Sequence, residues 1–117
     1  MGATGLDGPM PPEPSAIDRL AELARASRSG YHELFRFPSM STGVYLLARG
    51  GTDRQRPHSE DEVYFVLRGR GRFLQGTRDR AVEAGDALFV PAKVEHRFHA
   101  IEEELLLFVV FAPAESP

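Results

Sequence analysis

RPHSEDEVYFVLRG, residues 56–69, is the stretch that decides the fold of this chain. It opens with residues that can bind a metal and continues without a break into an apolar segment that ends at a glycine. In an extended chain, successive side chains point to opposite faces, so His58 and Glu62 share a face with Tyr64 and Val66. That face carries an imidazole and a carboxylate, which are ligands for divalent metals. The alternative is a solvated strand entry in which the acidic residues 60–62 face water.

GDALFVPAKVEHRFH, residues 85–99, is the second informative stretch. A Gly-Asp turn starts an apolar strand that Pro91 ends, and another strand follows. By alternation His96 and Phe98 share a face, and His99 lies on the other. If His96 faces inward, His99 therefore faces outward. His32, alone on an early strand, is interpreted as a surface or rim residue.

The composition limits what the chain can be. Its 117 residues fit one domain, and 42% apolar with 26% charged residues is typical of a globular protein. A net charge of -3 gives no basic field for nucleic acid or membrane, so neither is expected as a partner. The absence of cysteine excludes disulfides, thiolate zinc sites and cysteine nucleophiles. A metal would be held by His, Asp, Glu or neutral oxygen ligands.

No secretion signal is expected at the start of the chain. Residues 1–14 lack a basic stretch followed by an apolar core, and the longest apolar run, residues 105–112, is strand-sized. We therefore expect a cytoplasmic protein.

The chain divides into four parts. Residues 1–14, rich in Gly and Pro, are predicted to be a flexible arm, and residues 15–28 a helix with Ser15 as its N-cap and Asp18 in its first turn. Residues 29–112 form the main domain, and 113–117 a tail. Turn residues divide the main domain into about eight short strands, at 31–37, 42–48, 62–68, 71–75, 80–83, 87–90, 94–100 and 105–111.

This pattern predicts an all-β fold, a small antiparallel β-barrel or jelly roll with a short N-terminal helix. The Arg- and Gly-rich residues 68–72 are interpreted as a hairpin turn, and the acidic residues 102–104 as a solvated loop between strands.

Both stretches resemble the signature motifs of the cupin superfamily, in particular its small single-domain bacterial members. The first family motif is G-x5-H-x-H-x(3,4)-E-x6-G, and this chain reads Gly50, Arg56, His58, Glu62 and Gly69 at those places. The second is G-x5-P-x-G-x2-H-x3-N, which the chain matches at the glycine, proline and histidine of residues 85, 91 and 96. Here Lys93 replaces the turn glycine and Ala100 replaces the asparagine, so a strained or different turn is expected at 93.

The resemblance implies a metal site. Carried over position by position, the four family ligands become Arg56, His58, Glu62 and His96. A guanidinium that stays protonated cannot bind a cation. His58, Glu62 and His96 remain, enough for three-point ligation of Fe, Zn, Mn or Ni with open coordination positions.

Arg56 has two interpretations: it binds the carboxylate or phosphate of a substrate, or it pairs with Glu60 or Glu62 at the rim. Four further residues are predicted to contact substrate or line its pocket, namely Gln55, Tyr45, Tyr64 and Phe98. The alternative for the three aromatic residues is the core, and for Gln55 a reserve ligand or an ordinary loop residue. No catalytic base or nucleophile is assigned.

Three functions follow from these observations. The first is a metal-dependent cupin enzyme, a dioxygenase, isomerase, lyase or decarboxylase, acting on a small anionic metabolite. The second is a cupin that only binds or senses a small molecule, because one ligand is missing. The third is a structural subunit whose outer face, with Val63, Phe65 and Leu67, forms an interface. The resemblance also implies a homodimer.

Overall fold

The computed structural model describes residues 15–54 and 56–116. The predicted arm at 1–14 and the predicted substrate residue Gln55 lie outside these ranges. The described chain contains helix α1 and six strands: α1 Ala16–Ala26, β1 Tyr31–Phe37, β2 Met40–Leu47, β3 Asp61–Gln75, β4 Arg78–Glu83, β5 Ala87–Val90 and β6 His96–Ala112.

Helix α1 begins where the sequence predicts. The Ser15 hydroxyl accepts the Asp18 backbone N–H at 3.1 Å, and the Asp18 carboxylate accepts the Ser15 backbone N–H at 3.1 Å. This reciprocal cap satisfies two backbone donors that the first turn leaves open. The buried face of α1 packs Ala21 and Ala24 against Val44 and Leu106 of the sheet. No helix among residues 15–54 and 56–116 is long and apolar enough to cross a bilayer.

The strands form one antiparallel sheet, which confirms the predicted all-β class. The strand order is β1-β2-β6-β3-β4, with β5 also paired to β3, and the sheet does not close into a complete barrel. Strand β3 lies beside β6 for most of its length, and its two halves pair with β5 and β4 respectively. Because β3 and β6 are long and bent, they carry the chain around the main core, and a second, smaller cluster lies under α1.

Two predicted breaks between strands are wrong. Gly69 and its neighbours do not form a hairpin turn but lie inside β3, and residues 102–104 lie inside β6 rather than in a loop. Pairing between β3 and β6 shifts register between Val66 and Arg68 and twice more before Arg72. The glycines at 69 and 71 permit β-bulges, which bend the strand without ending it. A glycine-rich stretch that is typical of a turn therefore marks a bend in β3. The eight predicted strands therefore become six in the described chain.

The two faces of the sheet differ. The inner face holds the core, in which Tyr64, Phe73 and Phe98 are buried. On the outer face Leu67 packs against the cluster under α1, but Phe65 is 45% exposed. Further exposed apolar side chains on the strands are Phe35, Phe37, Met40 and Phe89. The homodimer stays a prediction.

Candidate metal centre

Three side chains singled out by the sequence come together on the inner side of the sheet. His58 lies in the loop before β3, Glu62 is the second residue of β3, and His96 is the first residue of β6. One potential ligand atom from each lies within 4.8 Å of the other two. Glu62 and His96 are buried, and His58 is half-buried.

The loop between β5 and β6 fixes the backbone of the site. The backbone N–H of Lys93 donates to the carbonyl of His58 at 2.6 Å, and that of Ala92 donates to the Asp61 carboxylate at 2.9 Å. Lys93 has φ 68°, in the left-handed backbone region that residues other than glycine rarely adopt. The backbone strain predicted for this turn is therefore present, and it lies at Lys93, whose N–H is hydrogen-bonded to His58.

Glu62 and His96 form an unusual buried contact. The Nδ1 atom of His96 faces the carbonyl of Val94 at 2.8 Å, so the ring proton of a neutral imidazole lies on Nδ1 and Nε2 presents a lone pair. That Nε2 lies 3.0 Å from Oε1 of Glu62, with both side chains 1% exposed. A neutral imidazole would thus point an acceptor at another acceptor.

Neither oxygen of Glu62 receives a hydrogen bond from the described part of the chain. The Tyr64 hydroxyl lies 3.1 Å from His96 Nε2 and can donate to it, but that bond leaves Glu62 uncompensated. A buried carboxylate without a partner costs several kcal/mol. Either a proton on Nε2 or a cation removes this cost.

The electrostatics of His96 reflect this contact. Burial acts to lower the pKa of His96, but protonation of Nε2 would turn the 3.0 Å contact with Glu62 into a hydrogen bond. That gain, the hydrogen bond to Val94 and the Glu62 charge outweigh burial and raise the pKa of His96 above its usual value. The site therefore attracts positive charge, as a proton or as a metal.

The aromatic residues predicted to contact substrate occupy different places. Tyr64 touches His96 through its hydroxyl. Phe98 is buried in the core against Tyr64 and does not line the cavity that opens beside His58. The Tyr45 hydroxyl donates to Asp53 at 2.9 Å. Burial and the Asp53 charge raise the pKa of Tyr45 far above its usual range, so it stays protonated.

A cavity of about 330 Å³ opens beside His58. This volume is at the lower end of the ~300–1,000 Å³ typical of small-molecule sites. Arg54 supplies the one positive side chain among its lining residues, and within the described ranges Arg54 forms no ion pair. The lining is completed by aromatic, polar and acidic groups, namely Ser29, Tyr31, Tyr45, His58, Phe111 and Glu115.

Arg56 lies elsewhere. Its side chain is exposed and lines no described cavity, and it makes no ion pair with Glu60 or Glu62, both of which lie in the described chain. The interpretation of Arg56 as a rim ion pair is therefore wrong, and its role in substrate binding stays a prediction.

Sequence reasoning missed three residues near the site. Arg54 lines the cavity in place of Arg56, and buried Asp53 joins the Tyr45 hydroxyl to the backbone N–H of Phe98. Glu115 reaches the site from the C-terminal segment, with Oε2 3.6 Å from Nδ1 of His58. Arg54 lies two residues before Arg56, so in an extended chain both side chains share a face, and the sequence could have indicated Arg54. No pattern in the sequence indicates that Glu115 lies near the site. His99 lies apart from the site and contacts Asp79, as its parity predicts.

Comparisons with known proteins identify the family of the chain. A sequence model of the cupin domain family matches residues 43–111. An uncharacterized protein of Streptomyces coelicolor (strain ATCC BAA-471 / A3(2) / M145) is 43% identical over 100 residues, which cover 86% of this chain and 95% of that protein.

Solved structures share the fold. A cupin 2 conserved barrel domain protein from Rhodopseudomonas palustris has a TM-score of 0.66 and 24% identity, over 74% of this chain and 62% of that chain. A DMSP lyase from Ruegeria pomeroyi DSS-3 has a TM-score of 0.63 and 22% identity, over 76% of this chain and 53% of that chain. This chain thus spans less than two thirds of either structure, and the likeness concerns the fold alone.

Proposed function

Because the chain belongs to the cupin domain family, we propose that it is a metal-dependent enzyme acting on a small anionic metabolite, with His58, Glu62 and His96 as the metal ligands. One observation carries the proposal. The buried Glu62 carboxylate receives no hydrogen bond within the described chain and lies 3.0 Å from the lone-pair nitrogen of His96.

The donor set suits a divalent cation. His96 Nε2 and Glu62 Oε1 lie 3.0 Å apart, close enough for both atoms to bind one cation. The Val94 carbonyl holds His96 in the tautomer that leaves Nε2 free, as partners of metal-binding histidines do. Two imidazoles and a carboxylate suit Fe, Zn, Mn or Ni, and a bound metal would polarise a substrate oxygen.

The chain's own residues would orient the substrate. Arg54 supplies positive charge in the cavity beside His58, where an anionic group would otherwise meet Glu115. The Tyr45 hydroxyl is held by Asp53, so the wall that it forms is rigid. Dioxygenase, isomerase, lyase and decarboxylase reactions remain alternatives, because the same site chemistry serves each of them.

Metal analysis tests the proposal. Wild-type protein purified without a histidine tag is expected to carry about one transition metal per chain, bound at the three-ligand site that the described residues form. His58→Ala and His96→Ala are expected to lose it, while the control His32→Ala, on β1, keeps it. A wild type that stays free of metal after incubation with Fe, Zn, Mn and Ni salts, with an intact fold, contradicts the enzyme and favours a binding module.

Arg54→Gln is expected to weaken binding of a small carboxylate or phosphate by about 10- to 100-fold, because a hydrogen bond to a charged group contributes ~1.5–3 kcal/mol. The measurement is the rise in unfolding temperature of metal-loaded protein across a panel of such anions. Arg56→Gln is the matched control, since Arg56 is exposed away from the cavity. If Arg56→Gln loses the response and Arg54→Gln keeps it, the assignment to Arg54 is wrong.

A further inference from the structure

We propose that Glu115 is a positioning residue, whose carboxylate orients the His58 imidazole and increases the affinity of the site for metal. The inference rests on the proposed function, since it takes His58 as a ligand. It concerns a residue outside both sequence motifs, in the segment that follows β6.

The backbone of Glu115 is fixed from two sides. Its N–H donates to the Ser41 hydroxyl at 2.8 Å, and its carbonyl accepts from the Arg36 guanidinium at 2.9 Å. The next residue, Ser116, donates from its hydroxyl to the buried carboxylate of Glu60 at 2.6 Å. These bonds tie the segment to β1, β2 and the loop before β3, so the backbone of Glu115 is held at the edge of the cavity that its side chain lines.

The side chain of Glu115 is directed at His58. Its Oε2 lies 3.6 Å from Nδ1 of His58, within ion-pair range and slightly too long for a hydrogen bond, and the two side chains are 26% and 18% exposed. The ring of Phe111 packs edge-on against the imidazole, with centroids 4.8 Å apart. His58 is therefore held between an aromatic ring and a carboxylate.

Such a contact has a defined effect on a metal ligand. A carboxylate that accepts a hydrogen bond from one ring nitrogen of a histidine fixes the ring orientation and makes the other nitrogen a stronger donor. The Glu115 charge, 3.6 Å from Nδ1 of His58, acts on the imidazole in the same direction. Arg56 stands where the related motif has a fourth ligand, so three side chains of the described chain would hold the metal. With one ligand fewer, the strength and orientation of His58 matter more to affinity.

Arg36, which contacts the backbone of Glu115, forms no ion pair with its carboxylate. Its guanidinium pairs with Glu33 at 2.8 Å and reaches only the backbone carbonyl of Glu115. Within the described ranges, the ion-pair partner of the Glu115 side chain is His58 alone.

Glu115→Gln tests the inference because it removes the charge and keeps the shape. Titration of metal-stripped protein with Co²⁺ is expected to give a dissociation constant about 10- to 100-fold higher than wild type. The visible spectrum of the bound Co²⁺ is expected to stay unchanged, because the ligand atoms are the same. Glu115→Asp should recover part of the affinity, and Glu22→Gln, which changes an exposed helix residue, should match wild type.

The remaining outcomes separate the two claims. A Co²⁺ affinity within twofold of wild type in Glu115→Gln overturns this inference and leaves the proposed function standing. A changed Co²⁺ spectrum makes Glu115 a ligand and also overturns the positioning role. A lower unfolding temperature of metal-free Glu115→Gln with unchanged affinity would mean a structural role only. Wild-type protein that binds no Co²⁺ overturns both claims.

Discussion

Glu62→Gln is expected to weaken metal binding by more than about 100-fold, beyond what loss of an outer partner of a ligand costs. The substitution replaces the anionic oxygen of the site by a neutral amide of the same shape. Calorimetric titration of metal-stripped protein with Mn²⁺, Zn²⁺ and Ni²⁺ measures the change. An affinity within tenfold of wild type would mean that Glu62 is not a ligand.

The same variant should change the stability of the metal-free protein in a way that depends on pH. The pKa of His96 is raised in the folded protein, so the Glu62 contact contributes stability below pH ~6.5, the unfolded value, and loses it as the pH rises through the folded pKa. At high pH the wild type keeps a buried carboxylate facing a lone pair, whereas the amide introduced by Glu62→Gln can donate to Nε2 of His96. At pH 9 the free energy of unfolding of Glu62→Gln should therefore exceed that of the wild type by about 1–3 kcal/mol. Thermal unfolding measures this difference.

Glu60→Gln is a matched control, because it is expected to change the stability at pH 9 in the opposite direction. Glu60 is also buried, but its Oε2 accepts hydrogen bonds from Ser59 and Ser116. Burial acts to raise the pKa of Glu60, but those bonds outweigh it and hold the pKa below its usual value. Loss of that charge should destabilise the protein at pH 9. If Glu62→Gln destabilises it too, by ~3–5 kcal/mol, the Glu62–His96 contact is a structural ion pair.

Gly69→Ala is expected to destabilise the protein by about 3 kcal/mol or more, combining backbone strain with steric overlap. Gly69 has φ 90°, and a Cβ atom there would overlap the backbone carbonyl of Glu104 on β6. Neither backbone can move without breaking the pairing of β3 with β6. Thermal unfolding should show a fall of about 10 °C for a domain of this size.

Gly76→Ala separates strain from overlap. Gly76 also has a positive φ, 61°, but a Cβ there meets nothing within 4 Å. Its expected cost is only ~1 kcal/mol of backbone strain. Equal costs for the two variants would contradict the close approach of β3 and β6 at Gly69.

The sequence predicts most of what is local and periodic. Alternation and motif spacing identify the strands around Glu62 and His96, and the Ser15 cap follows from side-chain chemistry next to an apolar helical stripe. The bend at Gly69 was mistaken for a turn, because a glycine with positive φ occurs in both. Only the long-range pairing with β6 distinguishes them.

The rest of the site depends on contacts between distant segments. Arg54 and Arg56 have the same parity in an extended chain, so only the path of the loop decides which of them lines the cavity. Glu115 lies far along the chain from His58, and hydrogen bonds to Ser41 and Arg36 bring it there. No short-range pattern encodes such a contact.

The most direct test of the central claim is diffraction from crystals of the untagged protein grown with Mn²⁺ or Zn²⁺, measured on both sides of the metal's absorption edge. We expect one anomalous peak per chain, about 2.0–2.3 Å from a nitrogen of His58, an oxygen of Glu62 and Nε2 of His96. Crystals that show these three side chains turned apart, or a peak only at other residues, would contradict it.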